Sequence, residues 1–170
     1  MATSRVSERF CAADANITIS SSDGMLFKVH RKNLEVHSDI FADAGNMTSV
    51  DPGDDVVTLS ETSEVLDLLF QYMHRQLPPD LRDVDFKVAS GLAEAAEKYW
   101  VYSALTPCRE KMVNSVRDHP LQVLDYAMRH GHAELASEAA RQSMGLGVEE
   151  AMESLAPDTF RTWVRITLQG

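Results

Sequence analysis

Asn16-Ile17-Thr18-Ile19-Ser20-Ser21-Ser22-Asp23-Gly24-Met25-Leu26-Phe27-Lys28-Val29-His30 decides the fold class of this chain. Ile17 and Ile19 alternate with Asn16, Thr18 and Ser20, the period-two pattern of a half-buried strand. Ser22-Asp23-Gly24 reads as a hairpin turn, because Asp-Gly accepts positive φ cheaply. Met25, Phe27 and Val29 then alternate with Leu26, Lys28 and His30. That spacing predicts a second strand, antiparallel to the first.

Beyond the hairpin the period lengthens. Leu34, Ile40 and Phe41 fall on short helical turns, and Ser38-Asp39 marks a fresh helix start. Residues 42–55 read as loop, because Gly45, Asn46, Asp51, Pro52 and Gly53 are all breakers. Val56-Val57-Thr58-Leu59 predicts a third short strand. Helical stripes follow at Val65, Leu66, Leu69, Tyr72 and Met73, at Val88, Leu92, Ala95, Ala96 and Tyr99, and at Val101, Leu105, Cys108, Met112 and Val116. Pro107 reads as a first-turn residue or a helix junction. Pro120 opens another helix that Gly131 closes. Three more helices follow, around Leu135–Ala140, residues 148–154, and from Pro157 through Trp163 to Leu168. Residues 1–13 are polar and aperiodic, a tail or an arm. The order is α+β, a small three-stranded sheet and then helices.

Composition excludes several functions. The chain has 170 residues, 26 acidic against 16 basic, and a net charge of −10. About 70% of the unfolded surface is buried at this size, enough for a core without metal or disulfide. The charge disfavours nucleic acid, and no basic patch stands out. No apolar run is long enough to span a membrane, and the first ten residues lack a signal-peptide core. Two cysteines suit an intracellular setting, cytoplasm or nucleus. The sequons at Asn16 and Asn46 are read as chance.

Catalytic groups are scarce. Cys108 lies on an apolar stripe without a neighbouring base, and core packing explains it. His130-Gly131-His132 has the glycine of a helix end between its rings and lacks a Cys-x-x-Cys or His-x-x-x-His companion. His30 reads as a buried histidine bonded to backbone groups. Asp54-Asp55 and Glu149-Glu150 read as solvated surface. No glycine-rich phosphate loop and no Gly-x-Ser-x-Gly elbow occurs. The expectation is a protein without catalytic activity, metal or other cofactor.

Asp14-Ala15-Asn16-Ile17-Thr18-Ile19, Asp23-Gly24, Phe27-Lys28-Val29-His30-Arg31-Lys32, Leu34, Ser38 and Phe41 together resemble the opening of a BTB/POZ domain. Val65–Met73 resembles the second part of that family. Glu94-Ala95-Ala96-Glu97-Lys98-Tyr99 with Leu105 and Cys108 resembles its third. The match covers residues 10–117, and its hairpin is similar to the expanded set of mushroom-forming fungi.

The resemblance implies a BTB/POZ domain over residues 14–117, an N-terminal arm at 1–13 and a helical extension at 118–170. It implies a protein-interaction module that forms homodimers and recruits protein partners, or an adaptor of a cullin-based ubiquitin ligase. Asp14 and Arg31 match a charged pair near the dimer interface. Strand capping by Asp14 and solvation of Arg31 is the other reading. The arm, with Phe10, matches a segment that crosses to a partner in some dimers, and docking of Phe10 on its own domain is the alternative. Phe41, Met47, Leu77 and Tyr99 mark the surface that would face a cullin. Met47-Thr48-Ser49 lacks the glutamate that adaptors carry there. A Skp-type adaptor shares the fold, but its acidic loop and C-terminal binding helices have no clear match.

Overall fold

The computed structural model describes residues 5–47 and 56–169. The elements run β1 (Arg5–Cys11), β2 (Ile17–Ser20), β3 (Met25–Val29), α1 (Arg31–His37), α2 (Asp39–Met47), β4 (Val56–Thr58), α3 (Ser63–Tyr72), α4 (Phe86–Lys98), α5 (Tyr102–Asn114), α6 (Pro120–Arg129), α7 (Ala133–Ser143), α8 (Val148–Ser154) and α9 (Pro157–Gln169). The class is α+β. Two compact units divide between Cys108 and Arg109, within α5, whereas the sequence suggests a junction at 117/118. None of the described helices is long and apolar enough to cross a membrane.

The first unit holds a sheet of order β1-β3-β2-β4. β2 and β3 pair antiparallel as the alternation predicts, with Ile19 opposite Phe27. β4 adds parallel to β2, with Ile19 opposite Val57. The fourth strand corrects the three-strand expectation. β1, read from sequence as an aperiodic arm, runs parallel to β3, and its register shifts between Val6 and Cys11. Its buried residues are Ser7 and Phe10, three apart, so no period-two signal exists. The Ser7 hydroxyl accepts the Phe10 N–H at 3.1 Å, which satisfies a donor that the irregular ladder leaves over.

Two other expectations change. α2 continues to Met47 through Gly45 and Asn46. Ser38 caps it, its hydroxyl accepting the Phe41 N–H at 3.2 Å, and such a cap offsets about 1 kcal/mol of glycine penalty. Thr48, Ser49 and the breakers at 51–55 lie outside the described residues. Pro107 sits inside α5 rather than at a junction. Burial of Ala104 (0% exposed) and Cys108 (1%) on either side of it offsets the lost hydrogen bond.

The core of this unit gathers Phe10, Ile19, Phe27, Leu66, Leu69, Phe70 and Leu92. Phe27 meets the edge of Phe70 at 5.3 Å between centroids, and Phe10 meets it at 5.7 Å. α3 and α4 pack closely because Gly91 lacks a side chain. A Cβ there would stand 3.0 Å from Val65 Cγ2.

The hairpin tip caps a helix 40 residues further on. Gly24 takes φ +80°, which frees Asp23 to reach α3. Asp23 accepts the Ser63 N–H at 2.7 Å and the Ser63 hydroxyl at 2.6 Å. Thr62, at the N-cap, makes no cap bond of its own. The Ser63 hydroxyl, with smaller help from Ser21 and backbone N–H groups, holds the Asp23 carboxyl down at about 2. A depressed carboxylate contributes stability that is full above its unfolded pKa near ~4 and is lost as pH falls towards ~2. Solvent screening keeps the contribution near ~1 kcal/mol. Asp23→Ala is therefore expected to lower stability by about 1 kcal/mol at neutral pH and almost nothing at pH ~2. Urea melts across that range measure it, and a loss that persists unchanged at the acid end would refute the cap.

In the second unit α6 packs against α7, α8 and α9, and α8 against α9. Its buried residues include Leu121, Leu124, Tyr126, Leu135, Ala139, Leu155 and Trp163. Asp125 on α6 accepts the Ala156 N–H at 2.9 Å and pairs with Arg129 at 2.8 Å. One carboxylate thus joins α6 to the start of α9. The Trp163 indole N–H donates to the Ser143 hydroxyl at 2.9 Å and ties α9 to α7.

Candidate functional site

The α4–α5 junction and the start of α2 build a site from one short run, Tyr99-Trp100-Val101-Tyr102. Between α4 and α5 the chain turns Tyr99 (6% exposed) and Val101 (0%) inward. Their neighbours Trp100 and Tyr102 are left outside, each 51% exposed, and Ile40 on α2, next in the chain to the Asp39 that Tyr102 bonds, is 43% exposed. Trp100 sits at φ +51°, the left-handed region, and this breaks the chain between the two helices.

The inward residues fix the outward ones. Ser38 donates its hydroxyl to the Tyr99 carbonyl while capping α2. Ser38 and Val101 form an isolated antiparallel bridge. The Phe41 ring stacks on Tyr99 at 5.0 Å and 22°. The Tyr99 hydroxyl donates to Glu61 Oε2 at 2.8 Å, and Lys98 Nζ meets Oε1 at 2.7 Å. Lys98 also lies 4.7 Å over the Tyr99 ring. On the outside, Tyr102 donates to Asp39, and Trp100 stands edge-on to Tyr102 at 6.4 Å.

Electrostatics keep this cluster in one protonation state. Burial, helped by the Glu61 carboxylate and opposed by Lys98, pushes the Tyr99 phenol up to about 12. Burial alone would raise Glu61, yet the bonds from Lys98 and Tyr99 hold it below the usual carboxylate range. Its bond to Asp39 raises Tyr102. Both phenols stay protonated and Glu61 stays charged near neutrality. It offers a fixed aromatic face with one carboxylate, Asp39, at its edge.

The sequence-predicted residues divide between sites. Phe41 and Tyr99 come together as described. Met47 ends α2. Leu77 stands 89% exposed on the loop between α3 and α4. Phe10 is buried in its own chain against Phe27, Phe70 and His74. The Asp14–Arg31 pair does not form within the chain. Asp14 meets His30 Nε2 at 3.1 Å, a bond that lowers its carboxyl pKa. The Arg31 backbone N–H donates to Asn16 Oδ1 at 2.8 Å. His30 is half-buried and meets a side chain, Asp14, rather than backbone, because it leaves β3 at the open end of the hairpin.

Trp100 and Tyr102 are the site residues that sequence reasoning missed, whereas Ile40 lies on the helix that it assigns to a contact surface. Their signal is the aromatic run itself. Two large apolar residues one place off a buried stripe must face outward.

Elsewhere, the Cys108 thiol is pushed up to about 12 by burial, which leaves it unreactive as a nucleophile. The rings of His130 and His132 lie 6.4 Å apart, each against Tyr126. Among the described residues, no three His, Cys, Asp or Glu side chains are placed to hold a metal ion. No family model matches the chain, and no curated protein matches it in sequence.

Proposed function

We propose that the chain is a non-catalytic protein-interaction module of BTB/POZ type that self-associates and recruits a protein partner. The carrying observation is the exposed Ile40–Trp100–Tyr102 face, held by bonds from buried Ser38, Tyr99 and half-buried Glu61. Large aromatics fixed on rigid elements contribute strongly to interfaces, because little side-chain entropy remains to be lost. The hairpin followed by Ser38, Phe41 and the Tyr99 helix is the order that the resemblance rests on.

A second reading has its own support. The face lies on α2 and over Phe41 and Tyr99, two of the four residues that the resemblance assigns to a cullin surface. The chain would then be a substrate adaptor of a cullin-RING ubiquitin ligase.

Light scattering after size-exclusion chromatography tests both readings, first alone and then with a cullin N-terminal domain. A dimer at twice 18.9 kDa is expected alone. A single monomeric species at tens of micromolar would sink self-association. Co-elution with the cullin supports the adaptor reading, and separate elution rejects it. For whichever partner binds, Trp100→Ala is expected to weaken affinity at least about thirtyfold, since buried aromatic anchors contribute ~2 kcal/mol or more. Its thermal stability should change by no more than about 0.5 kcal/mol, the range for surface positions. Unchanged affinity would remove this face from the interface.

A further inference from the structure

A second surface of the first unit is an open groove of about 600 Å³ between β1, β3 and the N-terminal ends of α3 and α4. Its floor is apolar, formed by Met25, Phe27, Leu68, Val84 and Val88. Its walls carry Glu8, Glu64, Asp67 and Asp85 against a single cation, Arg9. That cation is already engaged by Asp67 at 3.4 Å. The groove thus has a surplus of three negative charges over a hydrophobic floor. β1 forms one of its sides and is also an outer strand of the sheet. Between Val6 and Cys11 β1 has no regular register with β3.

We propose that this groove docks an extended peptide segment of a partner protein in which lysine or arginine alternates with aliphatic side chains. The alternation follows from strand geometry. An extended chain beside β1 sends every second side chain to one face. Aliphatic groups on that face reach the Leu68–Val88 floor, and the intervening lysine or arginine side chains are long enough to bend back to Glu8, Glu64 and Asp67 at the walls. The outer edge of β1 supplies backbone groups for the strand to pair with. An acidic or neutral segment would bury part of these carboxylates without compensation, so charge selects the partner. A purely basic segment would leave the floor wet. This surface uses none of the residues of the Trp100 face, so each can fail without the other.

The test uses the full chain and a fluorescein-labelled hexapeptide, acetyl-Val-Lys-Leu-Arg-Val-Lys-amide, followed by fluorescence anisotropy. An analogue with glutamine at each cationic position is the control. Low salt, about 50 mM, preserves the attraction. The lysine–arginine peptide is expected to bind at least about tenfold more tightly than the glutamine one. Glu64→Gln with Asp67→Asn is expected to weaken it at least about fivefold, as is Glu8→Lys alone. Glu149→Gln with Glu150→Gln, on α8, should leave binding unchanged. Amide shifts on titration should centre on Leu68, Val84 and Val88. Absence of binding, equal loss in the α8 variant, or shifts centred elsewhere would each overturn the groove as the docking site. Equal affinity for the two peptides would overturn its charge selectivity.

Discussion

Trp163→Ala is expected to destabilise the second unit by about 3–5 kcal/mol, the range for removing a buried tryptophan. The side chain is 2% exposed and carries the indole bond that joins α9 to Ser143 on α7. Ser143 also donates to the Ala140 carbonyl at 2.8 Å, so its own proton stays satisfied in the variant. The loss should come from the cavity and from the freed end of α9. A helical unit this small has only a few kcal/mol to lose. Amide exchange in α7 and α9 should therefore accelerate to the limit of local unfolding. Trp163→Phe fills most of the volume without the indole N–H and should fall between the variant and the parent. Retained protection at Ala139 and Val164 in the alanine variant would show that α9 is not anchored by this residue.

Phe10→Ala is expected to cost the first unit about 3–4 kcal/mol. The ring is 5% exposed and lies 4.9–6.1 Å, centroid to centroid, from His74, Phe70 and Phe27. His74 shares the burial, which lowers its pKa and favours the neutral ring whose Nδ1–H donates to the Phe70 carbonyl at 2.7 Å. Truncating Phe10 opens that site to water and removes the main side-chain anchor of β1. Denaturant melts of the variant measure the loss. The loss should be independent of protein concentration, because all three neighbours belong to the same chain. A loss that deepens on dilution would mean that β1 is exchanged between two copies, and would move Phe10 to a dimer interface.

How far the sequence could be read follows from which signals are local. β2 and β3 alternate in adjacent residues, and Asp23-Gly24 states its turn. α2 carries its cap in Ser38 and the following turn. β1 announces nothing, because its two buried residues are three apart and its partner is a parallel strand beyond the hairpin. α2 beyond Ala44 and Pro107 within α5 break local rules; the Ser38 cap offsets the first in part, and burial of Ala104 and Cys108 offsets the second. Asp14 illustrates the same limit at the site. Its charge invites an arginine, and only the folded hairpin shows that His30 stands nearer. Tyr99 was legible as core, whereas its bond to Glu61, 38 residues away, was not. The outward turn of Trp100 lay within reach of periodicity, since it sits between two buried neighbours.

Trp100 stands at φ +51°, where an ordinary L-residue gives up about 1–2 kcal/mol and glycine gives up almost none. At this position the interests of folding and of recognition are therefore opposed. A chain optimised for durability alone would put glycine or asparagine there and lose the aromatic face. A chain keeping tryptophan carries a standing backbone penalty on a half-exposed side chain whose ring meets Tyr102, and on the proposed reading a partner that covers the indole would offset that penalty.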